Sequence, residues 1–159
     1  MTRIGITGHR GLSPAALTTV AMDLAELLDA RPRPLVAISS LAEGPDQLLA
    51  ELVLERGGGV LAVIPADDYE DSFDETESLA GYRRLLARAD EIEVLGFASA
   101  SNEAFLAAGR RVVERCDELV AIWDGQPARG VGGTGDVVAY ARRTGRAVTV
   151  VWPEGAERG

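Results

Sequence analysis

The chain has 159 residues, of which 47% are hydrophobic, which is typical of one globular domain built around one core. No apolar run approaches the length of about 18 residues that a membrane-spanning helix needs, and the opening MTRIGITGHR lacks the apolar stretch of a signal peptide. The net charge of −9 weighs against duplex DNA as a partner, because contacts to phosphate need a basic face. The sequence contains no lysine, which excludes mechanisms that require a lysine Schiff base or a P-loop lysine.

The single cysteine, Cys116, excludes an internal disulfide and favours a reducing, cytoplasmic location. It lies near the end of an apolar helical pattern, so we expect it to pack in the core rather than act as a nucleophile. No group of side chains has the spacing of metal ligands, and the sequence predicts neither a metal nor a cofactor.

Six short runs rich in valine, isoleucine and leucine predict β-strands. Their apolar residues are nearly continuous rather than alternating, which is typical of strands buried on both faces. The predicted strands are Arg3–Thr7, Leu35–Ser39, Val60–Ile64, Ile92–Leu95, Leu119–Trp123 and Ala147–Trp152.

Helical patterns separate these strands, with apolar residues recurring at three- and four-residue spacing. Ser13-Pro14 and Gly44-Pro45 have the form of helix starts, and Asp74 with Glu77 resembles a capping box. A last short helix is predicted from about Gly135 to Arg143. The strict alternation predicts the α/β class: one Rossmann-like domain over residues 1–159, with three α/β/α layers and a mainly parallel sheet of about six strands.

Polar and glycine residues follow the predicted strands, and these positions include the only histidine. Ligands of such sheets bind beyond the carboxyl ends of the strands, so the sequence predicts a ligand site there. We expect His9 either to bond a ligand phosphate or to close its turn. Arg10 is expected either to hold a phosphate through two hydrogen bonds or to lie in solvent. The predicted ligand-binding residues at these strand ends are Gly8, His9, Arg10, Ser39, Ser40, Gly44, Asp46, Asp67 and Asp124.

The stretch ARGVGGTGDVV, residues 128–138, is a second candidate for ligand binding. Gly132 and Gly133 let successive backbone N–H groups turn toward one point, and the helix that follows adds its positive end. Thr134 is expected to cap that helix or to donate its hydroxyl to a phosphate. The stretch therefore predicts an anion cradle, the alternative being a tight turn between strand and helix. Neither GxGxxG nor a P-loop motif is present.

Other side chains near the predicted site have two interpretations each. Trp123 and Trp152 are expected at the rim of the core, the alternative being platforms for base stacking. Of Arg110 and Arg111, one is expected to face solvent, while either could reach a phosphate. Seven carboxylates occur among residues 67–77, which is typical of a solvated loop, although the first two could contact a ribose.

In this order, the motifs resemble those of the SLOG superfamily of Rossmann-like nucleotide-binding domains. GITGHR, SSLAEGPD and GGVLAVI, at residues 5–10, 39–46 and 58–64, are similar to successive motifs of the Smf/DprA DNA-processing proteins. CDELV followed by GGT, at residues 116–120 and 132–134, resembles the LOG-type phosphoribohydrolases. The similarity extends over nearly the whole chain.

The resemblance implies that residues 39–48 line a nucleotide pocket at a helix N-terminus. Ser39, Ser40 and the Gly44 backbone would then face phosphate or ribose, while Asp46 would brace the loop or bond a hydroxyl. We therefore expect a cytoplasmic domain that binds a nucleotide or nucleotide-derived small molecule, with the role of a sensor, and that forms a homodimer or higher homo-oligomer. A small-residue surface on the helix around residues 104–113 supports self-association. No duplex DNA or membrane is expected as a partner.

The alternative is a nucleotide N-glycosidase of the LOG type. Such enzymes use a carboxylate to stabilise the cationic sugar of the transition state. Counted from Thr134, that position holds Val137 in this chain, and Asp136 comes one residue early. Asp136 or Glu43 would then have to supply the catalytic carboxylate.

Overall fold

The structure, a computed structural model, describes residues 1–127 and 133–154. The strands are β1 (Thr2–Gly8), β2 (Leu35–Ser39), β3 (Gly59–Ala66), β4 (Glu91–Phe97), β5 (Glu118–Ile122) and β6 (Ala147–Val151). The helices are α1 (Pro14–Asp29), α2 (Pro45–Glu55), α3 (Thr76–Ala87), α4 (Asn102–Arg115) and α5 (Thr134–Arg143). A turn of 3₁₀ helix, Tyr69–Ser72, lies between β3 and α3.

The six strands form one parallel sheet in the order β4-β3-β2-β1-β5-β6. The chain first builds outward from β1 to β4, and α4 then crosses back so that β5 pairs with the other side of β1. Helices α1, α2 and α3 pack side by side on one face, and α4 and α5 pack together on the other. The predicted α/β fold is therefore confirmed. No helix in the described part of the chain is long and apolar enough to cross a bilayer.

Two of the predicted helix starts form as expected. The Ser13 hydroxyl accepts a hydrogen bond from the N–H of Ala16 at 3.1 Å, which satisfies one of the free donors at the start of α1. Gly44 precedes α2 with φ of +85°, a conformation that glycine adopts without strain. The predicted capping box at Asp74 is wrong, because α3 begins after Glu75 without a side-chain cap.

Strand β4 departs from the prediction that every strand is buried on both faces. It lies at the edge of the sheet, and Ile92 and Val94 are 51% and 55% exposed. Its other face meets α4, where Glu93 pairs with Arg111 and Arg115. Helix α3 packs against α2 and leaves the first face of β4 open to solvent.

Helices α4 and α5 approach closely at Gly109. A Cβ atom on Gly109 would lie 2.5 Å from Cγ2 of Val137, and Ala104 and Ala108 beside it are buried. The small residues of α4 are therefore used within the chain, for packing against the sheet and α5. This finding removes the surface on which the expected self-association rested.

Cys116 lies in the core on this same face of the sheet, as predicted. A Cβ atom on Gly5 of β1 would lie 3.0 Å from its sulfur, so the two positions are in close contact. Burial raises the pKa of the Cys116 thiol to about 11, so the thiol stays protonated at neutral pH. Cys116 therefore acts as a small buried side chain.

We predict that Gly109→Val lowers the free energy of unfolding by about 1–3 kcal/mol, because the added atoms overlap a buried valine. The matched control is Gly96→Val on the exposed face of β4, where an added Cβ meets no atom within 4 Å. Urea denaturation of both variants measures the difference. Equal stabilities for the two variants would contradict the close packing of α4 on α5.

Candidate functional site

The strand order reverses between β1 and β5, and an open parallel sheet forms a crevice at the carboxyl ends of its strands at such a point. The segment after β1 leads to α1 on one face, whereas the segment after the neighbouring β5 leads to α5 on the other. This is the position where open parallel sheets bind ligands. Gly8 ends β1 here, and a Cβ atom on it would lie 3.1 Å from both Pro45 and Ile122. Glycine at position 8 therefore lets α2, β1 and β5 meet at one point.

His9 extends from this point toward β5 and β6. Its N–H donates to the carbonyl of Ile122, and its Nε2 lies 3.5 Å from Oδ1 of Asp124. The imidazole ring meets Trp152 edge-on, with 5.4 Å between the ring centroids. The side chains of His9 and Asp124 are only 10% and 17% exposed. The structure therefore brings together two residues that the sequence proposed separately, and it places Trp152 at the rim of the core.

Arg10 extends the opposite way, across the ends of β2 and β3. Its guanidinium carbon lies 5.5 Å from the centroid of the Phe105 ring, and its charge acts to lower the pKa of the buried Tyr69 hydroxyl. The same charge acts to lower the pKa of Asp46 at the start of α2. Arg10 therefore lies among Phe105, Tyr69 and Asp46 at the mouth of the crevice, and it is partly buried.

The Asp46 carboxyl has an unusual environment for an acid. Burial raises its pKa to about 7, although the positive charge of Arg10 and the N–H of Ala42 both act to lower it. Burial likewise raises the pKa of Tyr69, and the negative charge of Asp46 adds to the effect. Asp46 therefore keeps its proton to a higher pH than an ordinary aspartate, so it neutralises the charge on Arg10 less completely.

The loop between β2 and α2 is braced from within. The Ser39 hydroxyl donates to the backbone carbonyl of Asp46 and accepts from the N–H of Leu41, both at 3.0 Å. Leu41 adopts φ of +57°, and Asp46 Oδ2 accepts from the N–H of Ala42 at 3.4 Å. Ser39 is fully buried, so its hydroxyl serves the loop. Contacts of Ser40 and Gly44 with a ligand stay predictions.

The two carboxylates considered for catalysis lie apart. Glu43 accepts a hydrogen bond from Ser78 of α3 at 3.3 Å, on the face covered by α1–α3. Asp136 lies in the first turn of α5, on the opposite face. Val137, at the position of the catalytic glutamate in the LOG pattern, is 2% exposed and packs against Gly109. A catalytic group at position 137 would point into the core.

The predicted anion cradle is described only in part. Gly132 lies outside the described residues. Gly133 is the N-cap of α5, so no side-chain hydrogen bond caps this helix. Thr134, its first residue, is buried with 6% of its surface exposed. The positive end of α5 therefore begins beside the crevice.

Asp67 and Asp68 connect the loop after β3 to the loop after β4. The N–H of Asp67 donates to the carbonyl of Phe97, and Asp68 Oδ1 accepts from the N–H of Ala100 at 2.6 Å. The carboxylate of Asp67 is exposed. A contact between Asp67 and a ribose stays a prediction.

Sequence reasoning missed the aromatic cluster that supports Arg10. Tyr69 lies 5.3 Å from Phe73, 5.4 Å from Tyr82 and 6.3 Å from Phe105, measured between ring centroids. Tyr69 lies within the acidic stretch predicted to be a solvated loop, yet it is 1% exposed. The one signal in the sequence that could have predicted the burial of Tyr69 was an aromatic residue inside such a charged stretch.

A second concave surface lies away from the predicted residues. It is an open groove of about 420 Å³ between the last turns of α2 and α3. Its lining residues are Glu51, Leu54, Glu55, Arg84, Leu85 and Arg88. The lining carries both signs of charge, and Arg84 pairs with Glu51 across the groove. Among the described residues, no group of three or more histidine, cysteine or carboxylate side chains could hold a metal ion.

Comparison with known proteins shows likeness in structure alone. No family model matches the chain, and no curated protein matches it. DNA processing protein A (DprA) from Streptococcus pneumoniae superposes on 94% of the chain with a TM-score of 0.69 and 22% identity. DprA from Helicobacter pylori superposes on 94% with a TM-score of 0.67 and 19% identity. The chain spans 50% and 64% of the lengths of these two proteins.

A third similar structure is the molybdenum cofactor binding protein from the phototrophic bacterium Rippkaea orientalis. It superposes on 96% of the chain with a TM-score of 0.61 and 16% identity, and the chain spans 77% of it. These neighbours show that the chain shares its α/β fold with DprA and with a molybdenum cofactor binding protein, and membership of the SLOG superfamily stays a prediction.

The neighbours correct our expectation about partners. The sequence predicts a nucleotide-derived small molecule as the partner, and its net charge of −9 weighs against duplex DNA. The H. pylori structure is described for its single-stranded DNA binding mode, and the R. orientalis protein binds a molybdenum cofactor. The fold therefore accommodates ligands outside the expected class. Net charge describes the whole surface, and it does not decide what one local site binds.

We predict that Asp46→Asn changes how stability depends on pH. Asp46 binds a proton in the folded chain up to about pH 7, whereas its ordinary pKa is 3.8. The folded state therefore holds more protons between these values, and stability falls as pH rises through this window, by at most about 1.4 kcal/mol per pH unit. The asparagine variant should lose this slope.

Urea denaturation at several pH values between 4 and 8 measures the slope in both proteins. Asp74→Asn is the control, because Asp74 is an exposed carboxylate that should leave the slope unchanged. An unchanged slope in Asp46→Asn would show that Asp46 ionises normally.

Proposed function

We propose that this domain binds a nucleotide unit in the crevice after β1, with the phosphate held by Arg10. The observation that carries the proposal is the position of Arg10, which lies over the Phe105 ring and near Tyr69 and Asp46, where the strand order reverses. Because burial raises the pKa of Asp46, this carboxyl neutralises the guanidinium less completely than an ordinary aspartate would, and the guanidinium keeps positive charge for an incoming anion.

The opposite side of the crevice supplies groups suited to the rest of a nucleotide. His9 and Asp124 are partly exposed polar groups that can hydrogen-bond sugar hydroxyls or a base edge. The N-terminus of α5, with its positive helix dipole, adds to Arg10 a second group that attracts phosphate. The likeness to DprA supports a nucleotide unit as the ligand, whether it is free or part of a single strand.

The observations favour binding over glycoside hydrolysis. Glu43 and Asp136 lie on opposite faces of the sheet, and position 137 is part of the core.

We predict that Arg10→Gln weakens binding by about 10- to 100-fold, the cost of losing a charge-assisted contact to phosphate. The probes are thymidine monophosphate and a fluorescein-labelled oligothymidylate, measured by calorimetry and by anisotropy. Arg83→Gln is the control, because Arg83 is an exposed arginine on α3 that pairs with Glu70.

Chromatography of the probes after incubation detects any released base. Intact probe with weakened binding in Arg10→Gln alone supports the proposal. Wild-type binding by Arg10→Gln would show that the phosphate lies elsewhere, and free thymine in the mixture would mean that the site hydrolyses its ligand.

A further inference from the structure

Three arginines on the α4–α5 face differ from most others in this acidic chain. Eight other arginines of the described residues pair with carboxylates, as in Arg31 with Glu118 and Arg56 with Asp29. Within residues 1–127 and 133–154, the exposed side chains of Arg110, Arg142 and Arg143 form no ion pair. Their charge is therefore available on a molecule whose net charge is −9.

Aromatic rings hold these arginines in place. The guanidinium carbons of Arg110 and Arg143 lie 5.2 and 5.8 Å from the centroid of the Tyr140 ring. That of Arg142 lies 5.6 Å from the Trp123 ring. We call these three arginines with Tyr140 and Trp123 the arginine patch.

The backbone and a neighbouring carboxylate set the geometry of the arginine patch. Gly109 allows α4 to approach α5 closely, so the next residue, Arg110, reaches across to Tyr140. The Tyr140 hydroxyl donates to Glu114 at 2.9 Å, which fixes the ring beneath the two guanidinium groups. Groups held in this way lose little side-chain entropy when they bind an anion.

The arrangement of arginines over aromatic rings favours one class of anionic ligand over the others. Single-stranded nucleic acids bind such surfaces by stacking bases on open aromatic rings, whereas guanidinium groups already lie over Tyr140 and Trp123. A long polyphosphate would also extend over a surface of net negative charge. A short segment with a few carboxylates contacts the patch alone, and each carboxylate can accept two hydrogen bonds from one arginine.

We propose that the arginine patch binds an acidic segment of another protein, one that carries several closely spaced aspartate or glutamate side chains. Arg110 and Arg143 would clamp one carboxylate above Tyr140, and Arg142 would hold a second one near Trp123. None of the three arginines belongs to the crevice, so the inference does not depend on the proposed function.

The test measures anisotropy of a fluorescein-labelled peptide of alternating glutamate and serine, at physiological salt. We expect saturable binding to the wild-type chain, at least about tenfold weaker binding to the triple variant Arg110→Gln, Arg142→Gln, Arg143→Gln, and no binding of the same peptide with glutamine for glutamate. The matched control is the triple variant Arg83→Gln, Arg84→Gln, Arg88→Gln on α3, which removes the same charge and should bind normally.

Circular dichroism of both triple variants checks that each is folded. Wild-type binding by the patch variant, or no binding by the wild-type chain, would overturn the proposal. Tighter binding of oligothymidylate than of peptide, lost in the patch variant, would also overturn it and identify a nucleic-acid surface. Arg10→Gln should leave peptide binding unchanged, which separates this result from the function of the crevice.

Discussion

The pairing of β1 with both β2 and β5 is the constraint on which the candidate site depends. Because α4 carries the chain back across the sheet, β5 joins β1 on the side that β2 leaves free. The segments after β1 and β5 then diverge to opposite faces, and a crevice opens between them. Gly8 lets the surrounding elements meet at this point, and the two residues that follow it point to opposite sides of the crevice.

Local electrostatics make this crevice different from the rest of an acidic chain. Arg10 lies beside a carboxyl whose pKa is raised to about 7, so the guanidinium is only partly neutralised. Tyr69 and Phe105 lie near it without adding negative charge. The arginine patch follows a related rule, because rings rather than carboxylates position its cations. Both cases show how a chain of net charge −9 can present local sites for anions.

The sequence predicted the fold, because the fold depends on local patterns. Apolar runs identified the strands and placed His9 and Asp124 each after one of them, but the contact between these two residues was not predicted. Arg10 with Tyr69 was not predictable, since the two are 59 positions apart and Tyr69 lies in an acidic stretch. The exposure of β4 depends on where α3 packs.

The small residues of α4 show the same limit of sequence reasoning. Their spacing correctly indicated close helix packing, but the partner is α5 of the same chain rather than a second copy. A periodic pattern indicates which face of a helix is covered, and only the tertiary structure identifies what covers it.

The central claim is that the crevice after β1 holds the phosphate of a nucleotide unit, and a backbone amide NMR titration with short oligothymidylate tests it most directly. The account predicts that shift changes concentrate in residues 8–13, 40–46 and 124–127, and at the start of α5. Changes confined to the groove between α2 and α3, or to the arginine patch, would contradict it.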